Sequence, residues 1–311
     1  MWIGTKNNNQ LHPTCCQKWY MVLLLMGFMM RIVDGAHARK RIVVTRNSKT
    51  SSKDKYDRSI STFNEEGRLL QVEYAMESTK RGPTTVCFCY SDWMVLMTVG
   101  PSNGPSSVYR IHHGTLMATT GLQGDGRMFA KAILQSFATS DYDPSVEEIA
   151  KAGASFQHEL TFMGGARPLG VMSTFVGISD EGTSLECYQT EPGGSIHPCH
   201  ICLSGKHSDN SQLFQHLNEI YDNNEKEDEQ SNDDDYYYNI LSKLGNVLLK
   251  HCQENDDNTT EENNYCLNIY TMKLSKNSRG GVSISCAPKV PMADLSLVAK
   301  RFAESIMSHK S

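Results

Sequence analysis

The chain has no surplus of positive charge and no apolar run long enough to span a bilayer. Its 311 residues are 39% hydrophobic and carry a formal net charge of -5, with a mean hydropathy of -0.44. The apolar run at residues 19–30 is shorter than the roughly 20 residues of a membrane-spanning helix. No basic stripe with interleaved aromatic side chains is present. The composition therefore argues against a mature protein in the membrane and against nucleic acid as a partner.

Several catalytic motifs are also missing. The sequence has no G-x-S-x-G nucleophile elbow, no Walker A phosphate loop and no H-E-x-x-H zinc motif. Histidines number 11, but the pair His112 and His113 stands at a predicted strand edge, where such a pair is usually exposed. No catalytic constellation is predicted from these residues.

The ten cysteines leave the redox compartment open. Most lie in apolar, strand-like runs, where cysteine behaves as a small hydrophobic side chain. Only residues 197–202, with Cys199 and Cys202, have metal-like spacing, but a zinc knuckle needs a turn between its ligands and a second ligand pair. The segment reads as one strand, on which the two cysteines would point to opposite faces. We therefore predict neither a metal ion nor a cofactor.

Residues 1–55 form a leader that differs from the rest of the chain. The run at residues 19–30 is preceded by Lys6 and Lys18 and followed by Ala-His-Ala at 36–38, the layout of a secretory signal peptide. Residues 39–55 are rich in Arg, Lys, Ser and Thr, as in a transit peptide. The alternatives stay open: import into an organelle reached through the secretory route, an extended, disordered N-terminus, or a wrongly chosen start codon.

The remaining residues, 56–311, alternate between blocks of strands and pairs of helices. Strands are predicted at 84–90, 94–99, 115–120, 173–178, 184–189, 198–203, 266–272 and 282–287. Helices are predicted after Gly67, after Gly126, over 146–160, and near 211–221, 239–252 and 294–307. This order favours α+β layers over a parallel sheet. Acidic segments around 222–238 and 254–264 are too charged to bury and are predicted to be solvated insertions.

The most informative stretch is residues 56–75. Its landmarks are Tyr-Asp-Arg at 56–58, Phe at 63, Gly-Arg-Leu at 67–69 and Gln-Val-Glu-Tyr-Ala at 71–75. In this order they resemble the N-terminal signature of proteasome α-type subunits. Further family landmarks follow in order to about residue 221: Gly-Leu at 121–122, Asp-x-Arg at 125–127, Arg-Pro-x-Gly-Val at 167–171, and Gly-rich turns near 193 and 205.

The resemblance implies a four-layer αββα sandwich, in which helices flank two antiparallel sheets. It also implies a non-catalytic α-ring subunit of the 20S core that scaffolds the β ring and gates substrate entry in ubiquitin-dependent protein breakdown. The implied partners are six other α-type subunits in a heptameric ring, the β-type ring, and regulatory-particle ATPases or other activators. The implied location is the cytoplasm and nucleus, with a secretory-route organelle as the alternative because of the leader.

Two functional sites follow from the resemblance. The gate residues would be Tyr56, Asp57, Arg58 and Tyr74. The pocket that grips an activator's C-terminal carboxylate between subunits would be formed by Arg110, Gly121 and Leu122. In the turn before the first helix, Asn64 and Glu65 replace the family's Ser-Pro, and the loss of proline is expected to loosen this turn. A neutral loop at 100–107 also replaces a basic stretch.

The alternative class is an active N-terminal threonine hydrolase of the β type. Such an enzyme frees a threonine whose own amine acts as the base. It also needs an acid and a lysine, but the matching positions hold Pro83, Val99 and Arg110. Arginine stays protonated and cannot tune a nucleophile as lysine can. Although Thr84 and Thr85 stand nearby, the sequence disfavours a hydrolase.

Overall fold

The computed structural model describes residues 59–101, 104, 106–138, 142–227, 233–254, 265–274, 282–291 and 300. All of them lie in the second of two units, which spans residues 51–311. The predicted leader, the tripeptide at 56–58 and the acidic residues 255–264 lie outside the described residues. So does the helix predicted near 294–307, apart from residue 300.

Five helices and ten strands are assigned within the described residues. The helices are α1 (Leu70–Thr79), α2 (Gln123–Phe137), α3 (Val146–Leu160), α4 (Ser211–Glu227) and α5 (Asp233–Glu254). The strands are β1 (Thr84–Cys89), β2 (Trp93–Pro101), β3 (Val108–His112), β4 (Thr115–Gly121), β5 (Val171–Ile178), β6 (Leu185–Thr190), β7 (Ile196–Pro198), β8 (Ile201–Ser204), β9 (Tyr265–Leu274) and β10 (Val282–Pro291). None of the described helices has the length and apolar character needed to cross a membrane.

The strands form two antiparallel sheets. Sheet I has the order β10-β9-β2-β1-β8, and sheet II has the order β3-β4-β5-β6-β7. In sheet I, Thr84 of β1 is the register partner of Val99 of β2. In sheet II, Gly121 of β4 is the register partner of Val171 of β5. The start of β1 and the end of β4 lie beside one another, because Gly82 just before β1 contacts the backbone of Gly121.

Three apolar clusters join the layers. The first packs α4 and α5 against sheet I, the second packs α2 and α3 against sheet II, and the third fills the space between the sheets. Strand β1 shows why both faces of a central strand are apolar: Val86 and Phe88 face the helices, whereas Cys87 and Cys89 face sheet II. The predicted four-layer αββα sandwich is confirmed.

The predicted strand at 198–203 is wrong, because the segment is split between the two sheets. Strand β7 ends at Pro198 in sheet II, and β8 begins at Ile201 in sheet I. Cys199 and Cys202 do not point to opposite faces of one strand, as predicted; a disulfide joins them. The reason is that residues 199 and 200 cross from one sheet to the other and form the turn that a single strand would lack.

The prediction that residues 222–238 are solvated is wrong for Tyr236 and Tyr237, which are each only 5% exposed. The ring of Trp93 makes edge contacts with both, at centroid distances of 6.0 and 4.9 Å. Lys273 Nζ lies 4.9 Å from the centroid of the Tyr237 ring. The aromatic rings at the start of α5 therefore belong to the core, although the charged residues before them suggested a loop.

Replacing Tyr237 with alanine is expected to lower the free energy of unfolding by about 3 kcal/mol, because a buried ring and its contact with Trp93 are lost. Denaturant unfolding of the full-length chain, followed by tryptophan fluorescence, measures this. Asn239→Ala, at an exposed position of the same helix, is the matched control and should change the value by less than about 0.5 kcal/mol. Equal, small effects of both substitutions would contradict the burial of Tyr237.

Candidate functional site

The turn that leads into α1 is closed by Asn64. Its Oδ1 accepts hydrogen bonds from the backbone N–H groups of Glu66 at 3.1 Å and Arg68 at 2.8 Å. Its backbone carbonyl accepts from Gly67 N–H at 3.0 Å, and Gly67 has a φ of +75°, which glycine adopts without penalty. The asparagine side chain thus closes the turn with two hydrogen bonds, while the loosening expected from the loss of proline at position 65 stays a prediction.

An ion pair connects this turn to the first residues of α1. Arg68 Nε donates to Glu73 Oε1 at 2.5 Å, and Arg68 Nη2 donates to Glu73 Oε2. The hydrogen bond to Glu73 is the main cause of the raised pKa of the Arg68 guanidinium. The pair is exposed to water, so its role is to orient the turn relative to the helix rather than to stabilise the fold.

The C-terminal end of α1 meets sheet II at three glycines, Gly82, Gly121 and Gly170, which we call the glycine junction. A Cβ on Gly82 would lie 2.1 Å from the backbone nitrogen of Gly121, and a Cβ on Gly121 would lie 2.1 Å from the carbonyl oxygen of Gly170. Gly121 also has a φ of +120°. Leu122 N–H donates to Gly170 O at 2.9 Å. A larger residue at Gly82 or Gly121 would push the backbones apart, and one at Gly170 would collide with the side chain of Ser78.

The same end of α1 is fixed to the turn after β8 in sheet I. The backbone N–H of Lys206 donates to the carbonyl oxygen of Gly82 at 3.1 Å. The Nζ of Lys80, the residue that follows α1, contacts Asp209 at 2.7 Å and Glu77 at 3.2 Å. Helix α1 is therefore held against both sheets at its C-terminal end.

Asp125 and Arg167 hold the glycine junction together. Arg167 Nη1 and Nη2 donate to Asp125 Oδ2 and Oδ1, each at 2.7 Å. Asp125 Oδ2 also accepts the backbone N–H of Gly170 at 3.0 Å. The hydrogen bond to Asp125 raises the pKa of Arg167, and the first turn of α2, where Asp125 lies, favours a negative charge.

Sequence reasoning found both of these residues as family landmarks but did not predict their contact. They are 42 residues apart in the chain, and no local periodicity connects them. Only the opposite charges of Asp125 and Arg167 could have suggested that the two residues pair. Many other acidic and basic residues in the chain could be paired on the same ground.

Of the predicted gate residues, only Tyr74 lies within the described part of the chain. It is on α1 and 47% exposed. Tyr56, Asp57 and Arg58 lie outside the described residues, so their role stays a prediction. Phe63, just before the Asn64 turn, is 61% exposed. Two large aromatic side chains of the signature are therefore available for contacts with another molecule.

The predicted activator pocket is not assembled within a single chain. Arg110 is exposed on β3, where it is the register partner of Leu116, and its Nη2 donates to the carbonyl oxygen of His113 at 2.9 Å. Gly121 and Leu122 follow at the other end of β4, about 17 Å further along the strand. Arg110 and the pair Gly121 and Leu122 would therefore belong to two different pockets, each completed by another subunit, and their role stays a prediction.

The positions of a β-type hydrolytic site carry no catalytic arrangement. Thr84 and Thr85 are buried at the start of β1, and the chain continues from Thr84 through Pro83 to the glycine junction, so Thr84 has no free amine. Val99, the register partner of Thr84, places an apolar side chain where the acid would stand. Arg110 lies in the other sheet.

Comparisons with known proteins agree with this geometry. A family model for proteasome subunits matches residues 79–231, and a model for the N-terminal signature of A-type proteasome subunits matches residues 56–77. Together they cover the α1 turn, the glycine junction, all five strands of sheet II and three of the five strands of sheet I. The fold and these matches define a subunit of the proteasome class.

Individual relatives show which type of subunit it is. The alpha type-7 proteasome subunit of Dictyostelium discoideum is 33% identical over 50% of this chain and 67% of its own length. The alpha type-4 proteasome subunit of Saccharomyces cerevisiae is 31% identical over 55% of this chain and 71% of its own. The alpha proteasome subunit of Archaeoglobus fulgidus is 34% identical, over 45% of this chain and 61% of its own. The chain belongs to the family of proteasome α-type subunits, whose members are non-catalytic.

Asp125→Asn is expected to lower the free energy of unfolding by about 2 kcal/mol, because it removes the charge that pairs with Arg167 and weakens the bond to Gly170 N–H. Glu147→Gln, which breaks the exposed pair of Glu147 with Lys151 at 2.8 Å, is the matched control and should cost less than about 1 kcal/mol. Denaturant unfolding of both variants and of Arg167→Gln gives the comparison. If Asp125→Asn costs no more than the control, the pair does not hold the junction.

Proposed function

We propose that this chain is a gate-bearing subunit of the α ring in a 20S proteasome core, where it scaffolds the β ring and controls the entry of substrates. The fixation of α1 to both sheets is the observation that carries this proposal. Because these contacts hold the C-terminal end of the helix, and Arg68 and Glu73 connect the helix to the Asn64 turn, this turn has a defined place on the domain. Residues 56–58 can then act as a gate whose position is set by the folded subunit.

The gate would act through contacts between neighbouring subunits. Asp57 and Arg58 carry opposite charges, and a charge-assisted hydrogen bond between adjacent tails is stronger than a neutral one. Tyr56 and Tyr74 would supply hydroxyl groups and rigid apolar area that hold one conformation of the gate. The exposure of Tyr74 in the single chain supports this assignment, since the side chain is accessible to a neighbour.

The partners of the chain would be six other α-type subunits, a β-type ring and an activator such as the regulatory-particle ATPases. The exposed apolar side chains Phe63, Tyr74 and Leu122 support subunit contacts near α1, because such side chains gain free energy when they are covered. The cytoplasm and nucleus are the locations that fit ubiquitin-dependent protein breakdown.

Native purification through a C-terminal tag tests the assembly. The chain is expected to co-purify with other α-type and β-type subunits in a stacked-ring particle, and mass spectrometry should find a mature N-terminus at or before Tyr56. A chain that purifies alone, with its N-terminus at Thr84 or Thr85 and with peptidase activity, would contradict the proposal and favour a hydrolase.

Deleting residues 1–58 is expected to raise the rate of peptide hydrolysis by the assembled particle, because the tail that obstructs the entrance is lost. Deleting residues 1–50 is the matched control: it removes most of the leader but keeps Tyr56, Asp57 and Arg58, and should leave the rate unchanged. Both particles are first shown to be intact by native gel electrophoresis. Equal rates of peptide hydrolysis in the two particles would contradict the gating role, but they would not contradict membership of the ring.

A further inference from the structure

Five cysteines come together in the layer between the two sheets: Cys87, Cys89, Cys187, Cys199 and Cys202. The Sγ of Cys187 lies 3.4 Å from that of Cys202, 3.7 Å from that of Cys199 and 3.9 Å from that of Cys87. The sulfur atoms of Cys187, Cys199 and Cys202 all lie within 4.8 Å of one another. This cluster lies outside the glycine junction and the α1 turn, and the proposed function does not use it.

The backbone fixes the positions of these cysteines. Cys199 N–H donates to the carbonyl oxygen of Cys187 at 3.0 Å, which ties the crossing segment to β6 of sheet II. In sheet I, Cys202 of β8 is the register partner of Cys87 of β1, and both face sheet II. The sulfur atoms therefore converge because of strand pairing and one crossing turn, and short cysteine side chains cannot move far from these places.

The spacing of the sulfurs fits a thiolate metal site. A zinc ion bound at about 2.3 Å by sulfur ligands in tetrahedral geometry separates these ligands by about 3.8 Å. The three distances from Cys187, between 3.4 and 3.9 Å, lie close to this value. Cys187 and Cys202 are buried, whereas Cys199 is half-buried at the edge of the layer. An ion can therefore reach the sulfur atoms from the solvent beside Cys199. Thiolate sulfur selects soft or borderline cations such as zinc over calcium or magnesium.

We propose that, in the reduced chain, Cys187, Cys199 and Cys202 bind one zinc ion. The disulfide between Cys199 and Cys202 is then the oxidised, metal-free form of the same centre. A dithiol reductant gives two electrons and two protons to the disulfide and becomes a disulfide itself. Zinc next displaces one proton from each of the three thiols and forms three zinc–sulfur bonds.

A bound ion would join the two sheets directly. Cys187 belongs to sheet II, whereas Cys202 belongs to sheet I, so the metal bonds would add to the apolar packing between the layers. Zinc bound only by the folded chain stabilises that chain by mass action. The reduced chain should therefore gain thermal stability with zinc, and the oxidised chain should not.

Cobalt titration of the full-length chain tests the site. The chain is reduced with a phosphine, freed of metal with a chelator, and titrated with Co²⁺, whose thiolate complexes absorb in the near ultraviolet. One Co²⁺ per chain is expected, displaced by an equal amount of Zn²⁺ and absent from the oxidised chain. Cys187→Ser and Cys199→Ser should lose the absorption, with circular dichroism recorded to confirm that each variant is folded.

Two control variants address other cysteines. Cys286→Ser, at an exposed position of β10, and the double substitution Cys15→Ser with Cys16→Ser in the leader should both keep the absorption. A band that persists in folded Cys187→Ser and Cys199→Ser, or no stoichiometric band in the reduced parent chain, would overturn the proposal.

X-ray absorption of the zinc-loaded parent chain gives a second test that needs no substitution. A shell of sulfur atoms at about 2.3 Å is expected, whereas a shell of nitrogen and oxygen atoms would place the ion on histidines or acidic residues and overturn the proposal. Neither outcome bears on ring membership, which the co-purification experiment decides separately.

Discussion

The contact among Gly82, Gly121 and Gly170 determines where α1 meets the two sheets. Three backbones approach more closely there than any side chain would allow, and Asp125 holds them by binding both Arg167 and the N–H of Gly170. A buried carboxylate needs such partners, because its desolvation would otherwise be costly. The charge pair and the glycines thus depend on each other, and the placement of the N-terminal signature depends on both.

The space between the sheets imposes a second constraint. Strand β1 is buried on both faces. Its side chains on one face pack against the helices, and those on the inner face pack against sheet II. In this chain the inner positions are filled largely by cysteine, which packs as a small apolar residue when protonated. Burial raises the pKa of Cys89, and for Cys187 the hydrogen bond to Cys87 and burial both raise the pKa. Both thiols therefore stay protonated at neutral pH and pack as part of the apolar layer.

Much of the architecture could be predicted from the sequence, because alternating apolar residues reveal which faces are buried and the signature at 56–75 resembles a known family. Contacts distant in sequence could not be predicted: nothing local indicates that Asp125 binds Arg167. The acidic residues before Tyr236 and Tyr237 indicate a solvated segment, although the two aromatic rings themselves are buried. The sheet change after Pro198 was also missed, because the apolar pattern continues across it.

Electron cryo-microscopy of native particles that contain the chain would locate both α1 and the N-terminal signature in the assembly. The chain is expected to lie in an outer ring, with the glycine junction intact and residues 56–58 at the ring entrance. Density for the chain in an inner ring, with Thr84 or Thr85 as its first residue, would instead identify a β-type subunit.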